Sequence, residues 1–267
     1  MKKYISLFRI RLIHSLQYRA ALFGHLIKNF AFAMMEIMVY AAIYRSDAFN
    51  LPMSFSQLVS YVWMHQIFLV LFRVVFSDSE IYAAISTGSV AYDLVRPIDL
   101  YSKWFSQSMA NRISYTLVNS LPLIIIATLI PEPYKLTWQI TAGQLVLFLI
   151  SAVLAFLVVV TFAMLMYISL FYIISQRGVK IIVTAVTSFF SGGEIPLLFF
   201  PAGVLTVVKY LPFAAMQNMP LQIFAGTVSK SEAVYGIIFQ LGWLAVLYIL
   251  GRLFMQQALK RVIIQGG

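Results

Sequence analysis

Long, continuous runs of apolar residues alternate with shorter polar segments along the chain. About 20 apolar helical residues cross the roughly 30 Å hydrocarbon core of a bilayer, whereas barrel strands are about 10 residues of alternating polarity. The runs therefore predict an all-α integral membrane protein with six transmembrane helices in one domain, 1–267. The predicted spans lie at about 21–44, 57–77, 113–130, 138–174, 181–190 and 233–254.

Two of these runs have unusual lengths. At 1.5 Å per residue, a helix from Trp138 to Ile174 would extend for more than about 50 Å. It must either tilt steeply and project from the membrane or place its first turns in the interface. The run at 181–190 instead rises only about 15 Å before a Ser-Gly-Gly sequence interrupts it.

The first residues, 1–19, predict an amphipathic helix. Tyr4, Phe8 and Leu12 share one face, and Lys2 and Lys3 belong largely to the other. A basic helix of this type lies along the inner membrane interface, with its apolar face in the acyl boundary. The alternative is that this segment is only the polar start of the first span.

Two further segments, between predicted transmembrane helices, contain no run long enough to cross the membrane. The first, at 78–112, is a polar tract of roughly 35 residues, and a loop of that length indicates a function or a partner. The second, at 192–226, is apolar but repeatedly broken by glycine and proline. Such backbone survives at membrane depth only when it is buried in protein or lines a cavity, so we expect short re-entrant helices there. One kinked span followed by a hydrophobic surface loop is the alternative.

The distribution of charge predicts the orientation. Only 10% of residues are charged, against about 25% in soluble domains, and the net charge is +10. With the N-terminus inside, thirteen of the 19 Lys and Arg residues lie on the inner side, four on the outer side and two within spans. We therefore expect both termini and the loop 78–112 in the cytoplasm and 192–226 outside. The basic residues are explained by topology, and no nucleic-acid partner is expected.

The sequence lacks the motifs of several enzyme classes. It has no cysteine, no G-x-x-x-x-G-K-[ST] phosphate loop, and neither G-x-S-x-G nor H-E-x-x-H. Glu36 lies in the middle of the first span and must face protein or a cavity, so it has either a functional or a packing role. His65, in the second span, is expected to pack rather than relay protons. Because Glu36, His65 and Glu194 are expected at different depths, neither a convergent catalytic site nor a metal site is predicted.

Two stretches carry a resemblance to a known family. They are AISTGSVAYDLVRPI at 84–98 and FSGGEIPLLFFP at 190–201, the latter followed by Leu-Pro-Phe at 211–213. Together with six spans and an amphipathic start, they resemble the membrane (permease) subunit of a bacterial type-2 ABC exporter. The resemblance covers almost the whole chain but identifies no substrate.

The resemblance implies a division of labour between this chain and its partners. Two ABC ATPase subunits would bind ATP and magnesium, and this chain, with no cofactor of its own, would pair with a second copy or a paralogous permease in the inner membrane. It implies an ATPase-coupling surface formed by Glu80, Ile85, Gly88, Tyr92, Asp93, Arg96 and Pro97. It also implies an extracellular gate formed by Gly192, Gly193, Glu194, Pro196, Phe199 and Phe200.

The sequence therefore favours a transport subunit that does not itself hydrolyse ATP. The rival hypotheses are an integral membrane enzyme acting on lipid or sugar and a stand-alone secondary transporter. The intramembrane polar candidates, Glu36 and His65, are too few and too scattered to favour either rival.

Overall fold

A computed structural model of the protein describes residues 6, 9–10, 13, 19–46, 51–76, 79–95, 98–138, 140–173 and 176–260, and its regular elements are all helical. The helices from residue 19 onward are α1 (Arg19–Arg45), α2 (Phe55–Phe72), α3 (Ser79–Ser86), α4 (Val90–Leu94), α5 (Leu100–Leu129), α6 (Ala142–Ser169), α7 (Gln176–Phe190), α8 (Ala202–Val208), α9 (Asn218–Ala225) and α10 (Lys230–Leu259). A 3₁₀ turn at Leu197–Phe199 precedes α8. The predicted interfacial helix, 1–19, lies mostly outside the described residues and stays a prediction.

Five of the described helices are long and apolar enough to cross a membrane. They are α1 from Gly24 onward, α2, α5, α6 and α10. The all-α, multi-pass class is therefore confirmed. The predicted fifth span corresponds to α7, whose 15 residues rise only about 22 Å. The count of six spans and the orientation of the termini stay predictions.

Side-chain caps determine where three of the spans begin. Each of these spans begins with a capping box. In this motif the side-chain hydroxyl of the cap residue accepts a hydrogen bond from the backbone N–H three residues later, and the Gln or Glu side chain at that later position accepts one from the backbone N–H of the cap residue. The pairs are Ser54–Gln57 for α2, Thr141–Gln144 for α6 and Ser229–Glu232 for α10. Because α6 contains only 28 residues, or about 42 Å, the expectation of a helix longer than 50 Å is wrong.

The third span begins well before its predicted start at 113. Asp99 caps α5 by accepting the N–H of Ser102, and the helix continues from Leu100. Tyr101 and Trp104 lie on the face of α5 that is buried against the rest of the protein. The second half of the tract 78–112 is therefore part of a packed helix, and the polar segment between the spans is shorter than predicted.

The long helices enclose two apolar clusters. The most extensive helix contact joins α6 to α10, while α2 packs against α1, α5 and α9. Gln240 on α10 is fully buried and accepts a hydrogen bond from Ser151 Oγ on α6, at 3.0 Å. Its amide also donates to the carbonyl of Ala215, at 3.1 Å. These bonds satisfy a polar side chain that would be costly to bury in an apolar interior.

The segment 192–226 contains only short elements. After α7 the chain turns and forms the 3₁₀ turn, α8 and α9 before α10 begins. The prediction of short, broken helices in this segment is confirmed. Their insertion into the outer leaflet stays a prediction.

Candidate functional site

A cavity of about 780 Å³ lies between α1, α2, α7 and the turn that follows α7. Its volume is in the range of ligand-binding pockets. Unlike the apolar outer faces of the helices, its wall carries many polar side chains. They are Lys28, Asn29, Glu36, His65, Gln66, Arg73, Thr184, Thr187, Ser188, Ser191, Glu194 and Gln217.

Helical periodicity explains how α1 forms one wall. Lys28, Phe32, Glu36 and Tyr40 are spaced four residues apart, and all four line the cavity. Side chains at that spacing lie one above another on the same face of a helix. Lys28 and Glu36 are therefore separated by about 12 Å along the helix axis.

The cavity is lined by both predicted intramembrane polar residues and by one acidic residue of the predicted gate. Glu36, His65 and Glu194 all line it. The depths of these three residues in the membrane stay a prediction, because the cavity extends along several turns of α1. The turn after α7 places Glu194 in the wall of this cavity.

Hydrogen bonds to neighbouring elements fix that turn. Gly192 has a φ of 77°, a left-handed conformation that glycine adopts without a steric penalty. Its carbonyl accepts a hydrogen bond from the buried Tyr61 hydroxyl on α2, at 3.1 Å. Gln217, just before α9, donates to Ser191 Oγ, at 2.9 Å. The turn is thus attached both to α2 and to the segment before α9.

The six predicted gate residues divide into two groups. Gly193, Glu194 and Phe199 line the cavity, and the Phe199 ring lies 5.6 Å from that of Tyr40. The other three are buried behind the cavity wall and do not line it: Gly192, Pro196 and Phe200.

The predicted ATPase-coupling residues lie around α3 and α4. Tyr92 is 75% exposed, and Gly88, with a φ of 72°, is exposed in the turn between the two helices. The neighbouring Val95 is 81% exposed. Two predicted residues, Arg96 and Pro97, lie outside the described part of the chain.

The remaining three coupling residues make contacts within the protein. Glu80 accepts a hydrogen bond from Gln107 on α5, at 2.8 Å. Asp93 forms an ion pair with Lys103, at 2.6 Å, and Ile85 packs against one of the apolar clusters. These contacts attach α3 and α4 to the start of α5.

A second set of contacts joins α3 to α7. The Lys180 ammonium lies 3.2 Å from the centre of the Tyr82 ring. Gln176 donates a hydrogen bond to the Tyr82 carbonyl, at 3.2 Å. Since α7 forms one wall of the cavity, α3 is connected directly to that wall.

Sequence reasoning missed the role of Arg112. It was counted among the inner-side basic residues, but its side chain is fully buried on α5. It donates to the Val74 carbonyl, at 2.7 Å, to the Arg73 carbonyl, at 3.4 Å, and to Ser108 on its own helix. Arg73 and Val74 follow α2 and line the cavity. Arg112 therefore holds the chain at the end of α2 against α5.

Asn29 and Gln66 were also missed. Asn29 lies seven residues before Glu36, two turns away on the same face, and this spacing could have identified it. Gln66 follows His65 directly, but no sequence pattern indicated that it would line the same cavity as Glu36.

A family model described as "ABC-2 family transporter protein" matches residues 30–266, nearly the whole chain. No curated protein matches the chain.

Proposed function

The chain belongs to the ABC-2 family of transporter proteins, and from that premise we propose that it is the permease subunit of an ATP-driven exporter in a bacterial inner membrane. Membership makes it the membrane subunit of an ABC transporter, with several apolar helices that cross the bilayer. The proposal adds the direction of transport, the cellular membrane and the way in which a partner drives the protein.

The connection between α3 and α7 carries this proposal. Tyr82 on α3 contacts Gln176 and Lys180 at the start of α7. Further along the same helix, Thr184, Thr187 and Ser188 line the polar cavity. A force applied to α3 and α4 would therefore move a wall of the cavity. A permease that is driven by a separate ATPase requires this kind of connection. The ATPase can shift the permease between two conformations only through contacts that differ between them.

The partner surface is the exposed part of α3 and α4. Tyr92 and Val95 are large, apolar and more than 70% exposed, on the side that the positive residues assign to the cytoplasm. Aromatic side chains anchor many protein interfaces. We assign this surface to an ABC ATPase, and the two ATPases of the complex hold ATP and magnesium. Arg96 and Pro97, which follow Val95 in the sequence, belong to the same predicted surface.

A second permease chain would close the cavity. The cavity is only partly enclosed, and its wall includes the charged residues Lys28, Glu36, Arg73 and Glu194. Charged side chains exposed to lipid are costly, so they face protein or water. A second copy or a paralogous permease against α1 and α7 would convert the cavity into an enclosed path between two chains.

The test is co-purification of this protein with an ABC ATPase from the same organism. A second tyrosine of matched exposure supplies the control. Tyr92→Ala removes a coupling side chain that is 75% exposed, whereas Tyr235→Ala removes one that is 72% exposed at the start of α10. We expect Tyr92→Ala to weaken ATPase association by about tenfold or more and Tyr235→Ala to leave it unchanged. Arg96→Glu should also weaken association or uncouple ATP hydrolysis from transport.

Unchanged co-purification and transport in both Tyr92→Ala and Arg96→Glu would refute the docking surface. ATP hydrolysis that depends on the co-purified subunit separates this function from its rivals. A membrane enzyme would turn over its substrate without the ATPase, and a secondary transporter would move its cargo without ATP.

A further inference from the structure

We infer that one flank of α8, formed by Ala202, Thr206 and Lys209, lines a water-filled vestibule. The vestibule descends from the outer face of the protein to the middle of the bilayer, whether or not an ATPase drives the protein. Four features carry this inference: the register of the chain after α8 against α10, a matching depth on the side of α1, a charge at that depth, and the two unlike flanks of α8.

Contacts with α10 give the depth of the chain that follows α8. Three pairs of residues are in contact, in this order along α10: Met219 with Gly236, Ala215 with Gln240, and Tyr210 with Trp243. The chain therefore runs antiparallel to α10, which begins with the charged residues Lys230 and Glu232 and so begins at the membrane surface. The bond from Trp243 Nε1 to the Tyr210 carbonyl, 3.2 Å long, lies about 20 Å further along the axis. A typical tilt of about 20° reduces this depth only to about 18 Å, which is close to the midplane of a hydrocarbon core of about 30 Å.

The α1 side gives a similar depth. The Phe199 ring lies 5.6 Å from that of Tyr40, which is about 8 Å before the end of α1 at Arg45. Helix α8 follows this contact and extends for about 10 Å over Ala202–Val208. A descending α8 therefore brings Lys209 to the depth that α10 indicates.

Lys209 places a positive charge at this depth. Its side chain is exposed, and across the described residues no carboxylate pairs with it. Its stem of four methylene groups is too short to carry the ammonium group back to the outer surface by snorkelling. A charged side chain in the middle of a bilayer faces protein or water, because its exposure to lipid is costly. The turns at 209–217 have the same requirement, because non-helical backbone at membrane depth must be buried in protein or line a water-filled cavity.

Helix α8 separates a polar flank from an apolar one. Ala202, Thr206 and Lys209 are exposed and follow one another at spacings of four and three residues, which places them on one flank. Val204 and Val207, 43% and 63% exposed, lie on the other flank and suit lipid. A helix surrounded only by lipid needs no polar flank, so the flank that carries Lys209 faces water or a protein surface.

Water fits this flank better than a second copy of the chain, which would need to bring a carboxylate to Lys209. Most of the described carboxylates bond within the chain: Glu80 to Gln107, Asp93 to Lys103, Asp99 to Arg252, Glu132 to Lys135 and Glu232 to Ser229. The other described carboxylates, Glu36 and Glu194, line the cavity, whose wall does not include Lys209. Water from the outer side therefore solvates this ammonium group.

The test is the accessibility of single cysteines, since the chain itself contains none. The full-length protein in right-side-out membrane vesicles is treated with MTSES, a membrane-impermeant anionic methanethiosulfonate. A cysteine thiolate attacks this reagent, forms a mixed disulfide with it and releases methanesulfinate. We expect Lys209→Cys to react from outside at least about tenfold faster than Val207→Cys on the apolar flank, because apolar surroundings disfavour the thiolate.

Equal rates for Lys209→Cys and Val207→Cys overturn the inference. If both react slowly, but fully after unfolding in SDS, lipid or protein covers the polar flank. If both react quickly, the bilayer is thin on all sides of α8 and no vestibule is needed. Reaction of Lys209→Cys in inside-out vesicles alone also overturns it, because the vestibule would then open on the wrong side.

Thr206→Cys tests the same flank with Lys209 in place, and it serves if Lys209→Cys fails to fold. The Thr206 hydroxyl bonds to the Ala202 carbonyl of its own helix, at 2.8 Å, so its loss disturbs no other element. Lys209 attracts anionic MTSES and repels its cationic counterpart MTSET. The ratio of the two rates at Thr206→Cys should therefore fall by about threefold or more when Lys209→Gln is added. An unchanged ratio, or a rate no higher than that of Val207→Cys, overturns the inference.

Discussion

Replacing the buried Arg112 with methionine tests how the end of α2 is held in place. Methionine keeps most of the apolar length of the side chain but removes all the donors. The Val74 carbonyl, whose residue is only 2% exposed, then loses its 2.7 Å hydrogen bond, and the Arg73 carbonyl loses two longer ones. The lost charge leaves no unpaired cation behind, and the orphaned carbonyl groups account for a definite part of the cost.

The expected decrease in the free energy of unfolding follows from those hydrogen bonds. A hydrogen bond from a charged donor contributes about 1.5–3 kcal/mol, and the short bond to Val74 belongs in this class. The bonds to Arg73, at 3.4 Å, are near the outer limit of hydrogen bonding and add less. We therefore expect Arg112→Met to lower the free energy of unfolding by about 2–4 kcal/mol, equivalent to roughly 5–15 °C in the melting temperature.

Thermal unfolding of the purified protein, followed by tryptophan fluorescence, measures this loss. The control is Arg252→Met, because Arg252 forms one ion pair with Asp99 and both side chains are more than a third exposed. Such pairs contribute less than about 1 kcal/mol. If Arg112→Met melts no lower than Arg252→Met, Arg112 does not hold α2 and the reasoning fails.

Three further predictions concern local conformation and charge. Gly192→Ala should destabilise the protein by about 2 kcal/mol or more in thermal melts, because its φ is 77° and the new Cβ would lie 3.0 Å from a buried tyrosine hydroxyl. Gly88→Ala, with a similar φ but open space around it, should cost only about 1 kcal/mol, and equal losses would contradict the steric argument. Partial burial acts to raise the pKa of Asp99, but hydrogen bonds from Ser102 and the Arg252 guanidinium outweigh it and hold the pKa below its ordinary value. The stabilisation by Asp99 is therefore present above the ordinary carboxyl pKa and is lost as pH falls through the lowered one, by less than about 1 kcal/mol given its exposure. Asp99→Asn should remove this acid-side loss, and identical melting curves against pH for the two proteins would show that the group contributes nothing.

Hydropathy predicted the long spans because each buries most of its length in lipid or in apolar protein. It failed at Leu100–Arg112, whose polar residues include Gln107 and Arg112. Hydropathy measures transfer to lipid, but these side chains are buried by contact with Glu80 and with the end of α2. The sequence could have indicated that Asp99 caps α5, because Asp is a common cap residue. It could not indicate which residues the polar face of α5 would contact.

The wall of the cavity shows the same limit. Glu36 was identified as a residue that must face protein or a cavity, and it does line one. Glu194 is distant in sequence and lines the same cavity because of the turn at Gly192, which the hydrogen bond from Tyr61 holds. A single sequence carries no signal for that encounter, because tertiary packing creates it.

The shortness of α7 has a consequence for the bilayer itself. Its roughly 22 Å of rise is about 8 Å less than a hydrocarbon core of about 30 Å. A short hydrophobic segment thins the surrounding lipid or draws headgroups inward. If α7 crosses the membrane as the predicted fifth span, we expect a local depression of the membrane beside the cavity, which shortens the path from the headgroup layer to the cavity. Bilayer thickness, varied through acyl-chain length, becomes a physical control on transport rate.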